Sequence, residues 1–86
     1  MAIQIEYNSI DMAEAGSRSI AFARSFETPP IVVVSPHLDD NSNISASAII
    51  KSITKDGFEF RSNYGHARYK VNWIAVGAAT VPPYSD

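Results

Sequence analysis

The sequence predicts an all-β sandwich, and three observations carry that prediction. Apolar and polar residues alternate along most of the chain, turn-forming residues punctuate the alternation, and no stretch holds a helical period beyond one turn. Five or six short strands with no helix to cover them bury their apolar sides by packing sheet against sheet.

Each element follows from its residues. Ile3 and Ile5 alternate with Gln4 and Glu6, which predicts a short first strand. Residues 8–16 read as a connection, with one helical turn available to Ala13-Glu14-Ala15 before Gly16 ends it. Alternation resumes over residues 18–26, with Ile20 and Phe22 on one face and Ser19, Ala21 and Ala23 on the other. Arg24 interrupts the apolar face and marks a bulge or the sheet rim. Thr28-Pro29-Pro30 is a stiff turn, because proline fixes φ and removes a donor. The β-branched run Ile31-Val32-Val33-Val34 is expected to be buried on both faces and limited by Pro36.

Residues 38–43, Leu38-Asp39-Asp40-Asn41-Ser42-Asn43, form a polar loop. Ile44, Ala46 and Ala48 share a parity that Ile49, Lys51 and Ile53 break, so a bulge is expected near Ile49-Ile50. Thr54-Lys55-Asp56-Gly57 carries the Asp-Gly hairpin signal, after which Phe58 and Phe60 face opposite to Glu59 and Arg61. Asn63-Tyr64-Gly65-His66 is a second tight turn. Tyr69, Val71, Trp73 and Ala75 then alternate with Lys70 and Asn72, and Ile74 and Val76 make this strand's end apolar on both sides. Trp73 reads as a packing anchor of the core rather than a stacking platform. The prolines after Val81 cannot continue a ladder, so the tail is expected to leave the sheet or lie along its edge.

Composition narrows the function. The 86 residues fit one domain, residues 1–86, and a chain this small hides only about 60% of its unfolded surface on folding. Cysteine is absent, so neither disulfides nor a thiolate metal site can supply stability, and self-association is the expected remedy. The net charge of −2 comes without a basic stripe, which argues against nucleic acid as a partner. Residues 1–7 lack a basic segment followed by an apolar one, so no secretory signal is expected there. The longest apolar run, Ile31 to Val34, is too short to span a bilayer, and no membrane insertion is expected.

Several segments then occur in a telling order. Ile20-Ala21-Phe22 is followed by Phe26-Glu27-Thr28-Pro29-Pro30-Ile31-Val32-Val33, then Leu38-Asp39, Ile53-Thr54, Gly57-Phe58 and Val71-Asn72-Trp73-Ile74-Ala75. This resembles the H-type lectin domain, the family of snail agglutinins, discoidin C-terminal domains and related phage tail-fibre modules, over residues 11–77. The resemblance implies a six-stranded antiparallel β-sandwich that assembles as a homotrimer or a multiple of trimers, with sugars bound near subunit boundaries. The family's carboxylate before the second strand matches Asp11, but its arginine after the polar loop falls on Ser45. Its tryptophan–polar pair falls in a loop that is shorter here and offers Tyr64, Gly65 and His66, with Arg68 just beyond. Galactose and N-acetylgalactosamine are the sugar class the resemblance brings, and the loss at Ser45 argues against carrying over an N-acetylgalactosamine preference.

A sugar site needs polar groups for vicinal hydroxyls and an aromatic face for the apolar side of the ring. Asp11, Tyr64, His66 and Arg68 offer that chemistry from two turns, and Asn63 adds an amide. The plainer alternative makes Asp11 a turn cap and Asn63 and Tyr64 fillers of a hairpin. Asp39, Asn41 and Asn43 alternate like part of a calcium loop, but Ile44 and Ile50 stand where an EF-hand needs glycine and a bidentate glutamate. His37 and His66 lack companions at ligand spacing, so neither a metal nor another cofactor is expected. No nucleophile elbow, zinc-protease motif or phosphate-cradling glycine loop occurs, and an enzyme is not expected.

Two functions follow. The first is a glycan-binding lectin acting at a cell surface, outside the cell or on a virion, reached without a classical signal and with cytoplasmic storage as an alternative. The second is a structural or receptor-binding module of a trimeric assembly such as a phage tail fibre, in which the sugar site has decayed. Ser45 and the short loop favour the second.

Overall fold

Alternation resolves into six strands in the computed structural model, which describes residues 2–38 and 46–80. They are β1 (Ile3–Asp11), β2 (Gly16–Ala21), β3 (Ile31–Leu38), β4 (Ala48–Ile53), β5 (Gly57–Ser62) and β6 (Tyr69–Ala78). Two antiparallel sheets result, ordered β1-β6-β3 and β2-β5-β4. This is the expected six-stranded all-β sandwich.

The core lies between the sheets. Tyr69, Val71, Trp73 and Ala75 of β6 face Phe58 and Phe60 of β5, with Met12, Phe22, Phe26 and Val32 closing the sides. Phe22 meets Phe26 edge-on at 4.9 Å, and Phe58 meets Trp73 edge-on at 5.2 Å between ring centroids. Such aromatic contacts add to the burial of large apolar surfaces. Trp73, 7% exposed, is the expected anchor.

Local predictions hold where chemistry is local. The turn at residues 54–56 closes through Thr54, whose backbone N–H donates to the Gly57 carbonyl at 2.8 Å. The register of β4 on β5 shifts between Ile50 and Ser52, within two residues of the expected bulge. Gly16 has φ of 134°, a backbone conformation that favours glycine, and it starts β2 where a helical turn was expected to stop. Residues 12–15 form no helix.

Three expectations need correction. β1 runs to Asp11, through residues read as a connection, because β6 is long enough to pair with it down to Lys70. Pro36 lies inside β3 rather than ending it. β3 is an edge strand, where a missing N–H on the open side costs no ladder bond. The run Ile31 to Val34 is buried on one face only: Val32 is buried and Val34 half-buried, but Ile31 is 75% and Val33 56% exposed.

That last departure extends across the outer face of the first sheet. Register lines up Ile5–Val76–Ile31, then Tyr7–Ile74–Val33, then Ser9–Asn72–Ser35, then Asp11–Lys70–His37. The face is therefore apolar at one end and polar at the other. Ile3, Ile5, Tyr7, Ile31, Val33, Ile74 and Val76 are all exposed there. In the first half of β1, Ile3, Ile5 and Tyr7 point outward and Gln4 and Glu6 are the more covered pair, whereas Ile10 packs against the core. Glu6 accepts hydrogen bonds from the Ala23 and Arg24 N–H groups at 2.8 and 3.0 Å and from Gln4 Nε2 at 2.8 Å. A single carboxylate thus ties the first strand to the β2–β3 connection.

The predicted tail after Val81 and the polar loop from Asp39 lie outside the described residues.

Candidate functional site

The loops at one pole of the sandwich pack into a single surface. Residues 12–15 join β1 to β2, and residues 63–68 join β5 to β6. The His66 N–H donates to the Met12 carbonyl at 2.9 Å, and the Met12 N–H donates to the Tyr69 carbonyl at 3.0 Å. Gly65 makes the closest approach: a Cβ there would lie 2.4 Å from the Ala15 backbone nitrogen. Only glycine lets the two backbones touch at this point.

Ser62 anchors the β5–β6 loop from below. Its buried hydroxyl donates to the Tyr64 carbonyl at 3.1 Å and therefore accepts from the Tyr69 hydroxyl at 2.9 Å. Tyr64 sits half-buried with its ring edge-on to Tyr69, centroids 5.2 Å apart. The His66 ring lies parallel to that of Tyr64, within 7° and with centroids 6.2 Å apart. His66 Nδ1 accepts the Arg68 N–H at 3.0 Å, so in the neutral ring the proton sits on Nε2 and serves as an outward donor. The loop therefore holds two parallel, half-buried rings, that of Tyr64 packed against the core, together with a ring N–H and the exposed Arg68 side chain. These groups match what one face and one edge of a pyranose require.

The sequence-derived residues distribute unevenly. Tyr64, His66 and Arg68 share the loop. Asn63 is engaged in holding structure, since its Oδ1 accepts the Ser47 N–H at 2.8 Å and its own N–H donates to the Ser47 carbonyl. Asp11 precedes Met12 and so borders the loop along the chain, but its side chain lies with Lys70 on the outer face of the first sheet, Oδ1 to Nζ 4.0 Å. Ser45 lies outside the described residues.

A second polar cluster was missed by the residue-by-residue reading. Ser9, His37, Lys70 and Asn72 line a cleft of about 250 Å³ at the polar end of that outer face. The outward parity of Lys70 and Asn72 is visible in the sequence, but their company depends on the pairing of β1 and β3 with β6.

The described residues form a two-layer sandwich whose pole carries a shallow surface of polar and aromatic groups. The model of the H-type lectin domain matches residues 17–76, more than two thirds of the chain, and the chain belongs to that family of carbohydrate-binding domains. Comparison with curated proteins and with solved structures returned no match.

Proposed function

We propose that the chain is a multivalent lectin that forms a homotrimer and recognises glycans of a cell surface or envelope, working outside the cell or on a virion. Its sugar site is shallow and built from Tyr64, His66 and Arg68, with Asp11 at the border. The observation that carries this reading is the Tyr64–His66 pair, two parallel rings held by Ser62 and Gly65 at the exposed pole. The self-association is supported by the apolar outer rows. Burying one isoleucine or valine fully contributes about 1.5–3 kcal/mol, so the seven side chains there amount to several kcal/mol per subunit. Those rows grade into the polar rows toward Asp11, which would bring sugar-binding groups near a subunit boundary. Shallow sites bind weakly one at a time, and presenting several on one surface raises avidity by about 10²–10⁴.

The test is a glycan array run beside light scattering. Tyr64→Ala is expected to abolish binding of neutral galactosides, and Asp11→Ala at the border to weaken it, while the mass of a trimer persists. Undiminished array signal in both variants removes the site assignment. The tail-fibre reading keeps the trimer and loses the sugar; Ser45 in place of arginine is what favours it, and it predicts a trimeric mass with an empty array.

A further inference from the structure

The cleft on the outer face of the first sheet is built of donors. Ser9 faces Asn72 across β1 and β6, and His37 faces Lys70 across β3 and β6. The Ser9 hydroxyl donates to Asn72 Oδ1, which occupies the acceptor of that amide and leaves its NH₂ to serve another partner. Lys70 can only donate, and at 4.0 Å from Asp11 Oδ1 its ammonium stands outside hydrogen-bonding distance of that carboxylate. His37 contributes a ring N–H to the same lining. The Asp11 side chain is 86% exposed, where water and salt screen it, whereas the Lys70 side chain is only 51% exposed and acts from a more sheltered place.

Among the described residues of the lining, free donors outnumber free acceptors, which favours an anion. The size of the cleft, about 250 Å³, falls below the roughly 300–1,000 Å³ typical of sites for larger ligands and suits one sugar ring with its substituent. The Ser9 oxygen keeps lone pairs for a ring hydroxyl, and Ser35 stands in the same cross-strand row. We propose that this cleft is a subsite for the acidic substituent of a glycan, a carboxylate or sulfate on a sugar ring, with Lys70, His37 and Asn72 as its donors. The identification of the ring as a sugar rests on the lectin reading above. The location does not, because it uses none of the residues of the β5–β6 loop.

The experiment titrates isotope-labelled full chain with galacturonate, a sulfated galactose, methyl galactoside and inorganic sulfate, following backbone amides by NMR. Both acidic sugars are expected to shift the amides of Ser9, Lys70 and Asn72. An ammonium hydrogen bond to an anion corresponds to roughly a tenfold change in affinity, so the acidic sugars should bind at that row about tenfold tighter than methyl galactoside. Lys70→Gln is expected to erase the preference without changing the mass of the assembly, and Asp11→Asn to increase it by removing the carboxylate that stands beside Lys70. Equal affinity for acidic and neutral sugars, or a preference that survives Lys70→Gln, overturns the proposal. Inorganic sulfate binding as tightly as the sulfated sugar also overturns it, since the ring would then contribute nothing. Which acidic sugar binds more tightly separates carboxylate from sulfate. The same spectra read Tyr64 and His66, so silence there under methyl galactoside counts against the loop site alone.

Discussion

The two outer faces of the sandwich stand on a shared core, one on strands of eight to ten residues and the other on strands of six, and they differ in what they show to solvent. The face of β1-β6-β3 exposes seven large apolar side chains in adjacent rows. The face of β2-β5-β4 carries Ser17, Ser19, Ala21, Glu59, Arg61 and Ser52, with Ile49 its one exposed large apolar residue among the described ones. Scattered apolar residues are normal on a protein surface, and Ile49 is of that kind. Contiguous rows are not, and they support the self-association proposed above. Both faces obey the same alternation, and only the identity of the outward residues makes one face apolar and the other polar.

The largest effect is expected from removing what both faces stand on. Trp73→Ala empties the centre of the aromatic cluster and should cost about 3–5 kcal/mol, comparable to the whole stability of so small a domain. Loss of a cooperative unfolding transition in denaturant checks it, and a variant that unfolds with wild-type midpoint would show that the cluster is not the common support. Next comes the contrast itself. Ile5→Asp with Val33→Asp on the apolar face should reduce the mass by light scattering to that of a single chain, and Ile49→Asp on the other face should leave it unchanged. Equal behaviour of the two variants would erase the distinction drawn here.

Smaller effects sharpen the picture at the poles. Gly65→Ala must push the β5–β6 loop off the Ala15 backbone, at a cost of about 1–3 kcal/mol, and should weaken neutral-glycan binding while the apolar face continues to assemble. Glu6→Ala deprives two backbone N–H groups of their acceptor and should lower stability by about 1 kcal/mol in urea titration, with no change in assembly or binding.

What was legible in the sequence follows from how local its causes are. The Asp56-Gly57 turn, the inward series Tyr69, Val71, Trp73 and Ala75, and the bulge in β4 each depend on a few neighbouring residues, and each stands where expected within two positions. The fate of Ile31 and Val33 was not legible in the same way. Alternation separates two faces but does not say whether the second is covered by the same chain, and β-branched residues suit either case. Pro36 reads as a strand stop unless the strand is known to lie at an edge. The site divides likewise. Tyr64, His66 and Arg68 fall together because they share one turn, whereas the grouping of Asp11 with Lys70 and His37 requires the register of three strands whose residues lie far apart along the chain.

The pairing of Ile3 with Ala78 and Asp11 with Lys70 sets the order in which the molecule can be made. β2 to β5 lie between β1 and its hydrogen-bonding partner along the chain, so β1 stays unpaired during synthesis until β6 emerges. Loop closure over such separations is slow, and the apolar stripe of β1 is bare for that whole interval. The first sheet therefore cannot begin to form until β6, its central strand, has been made.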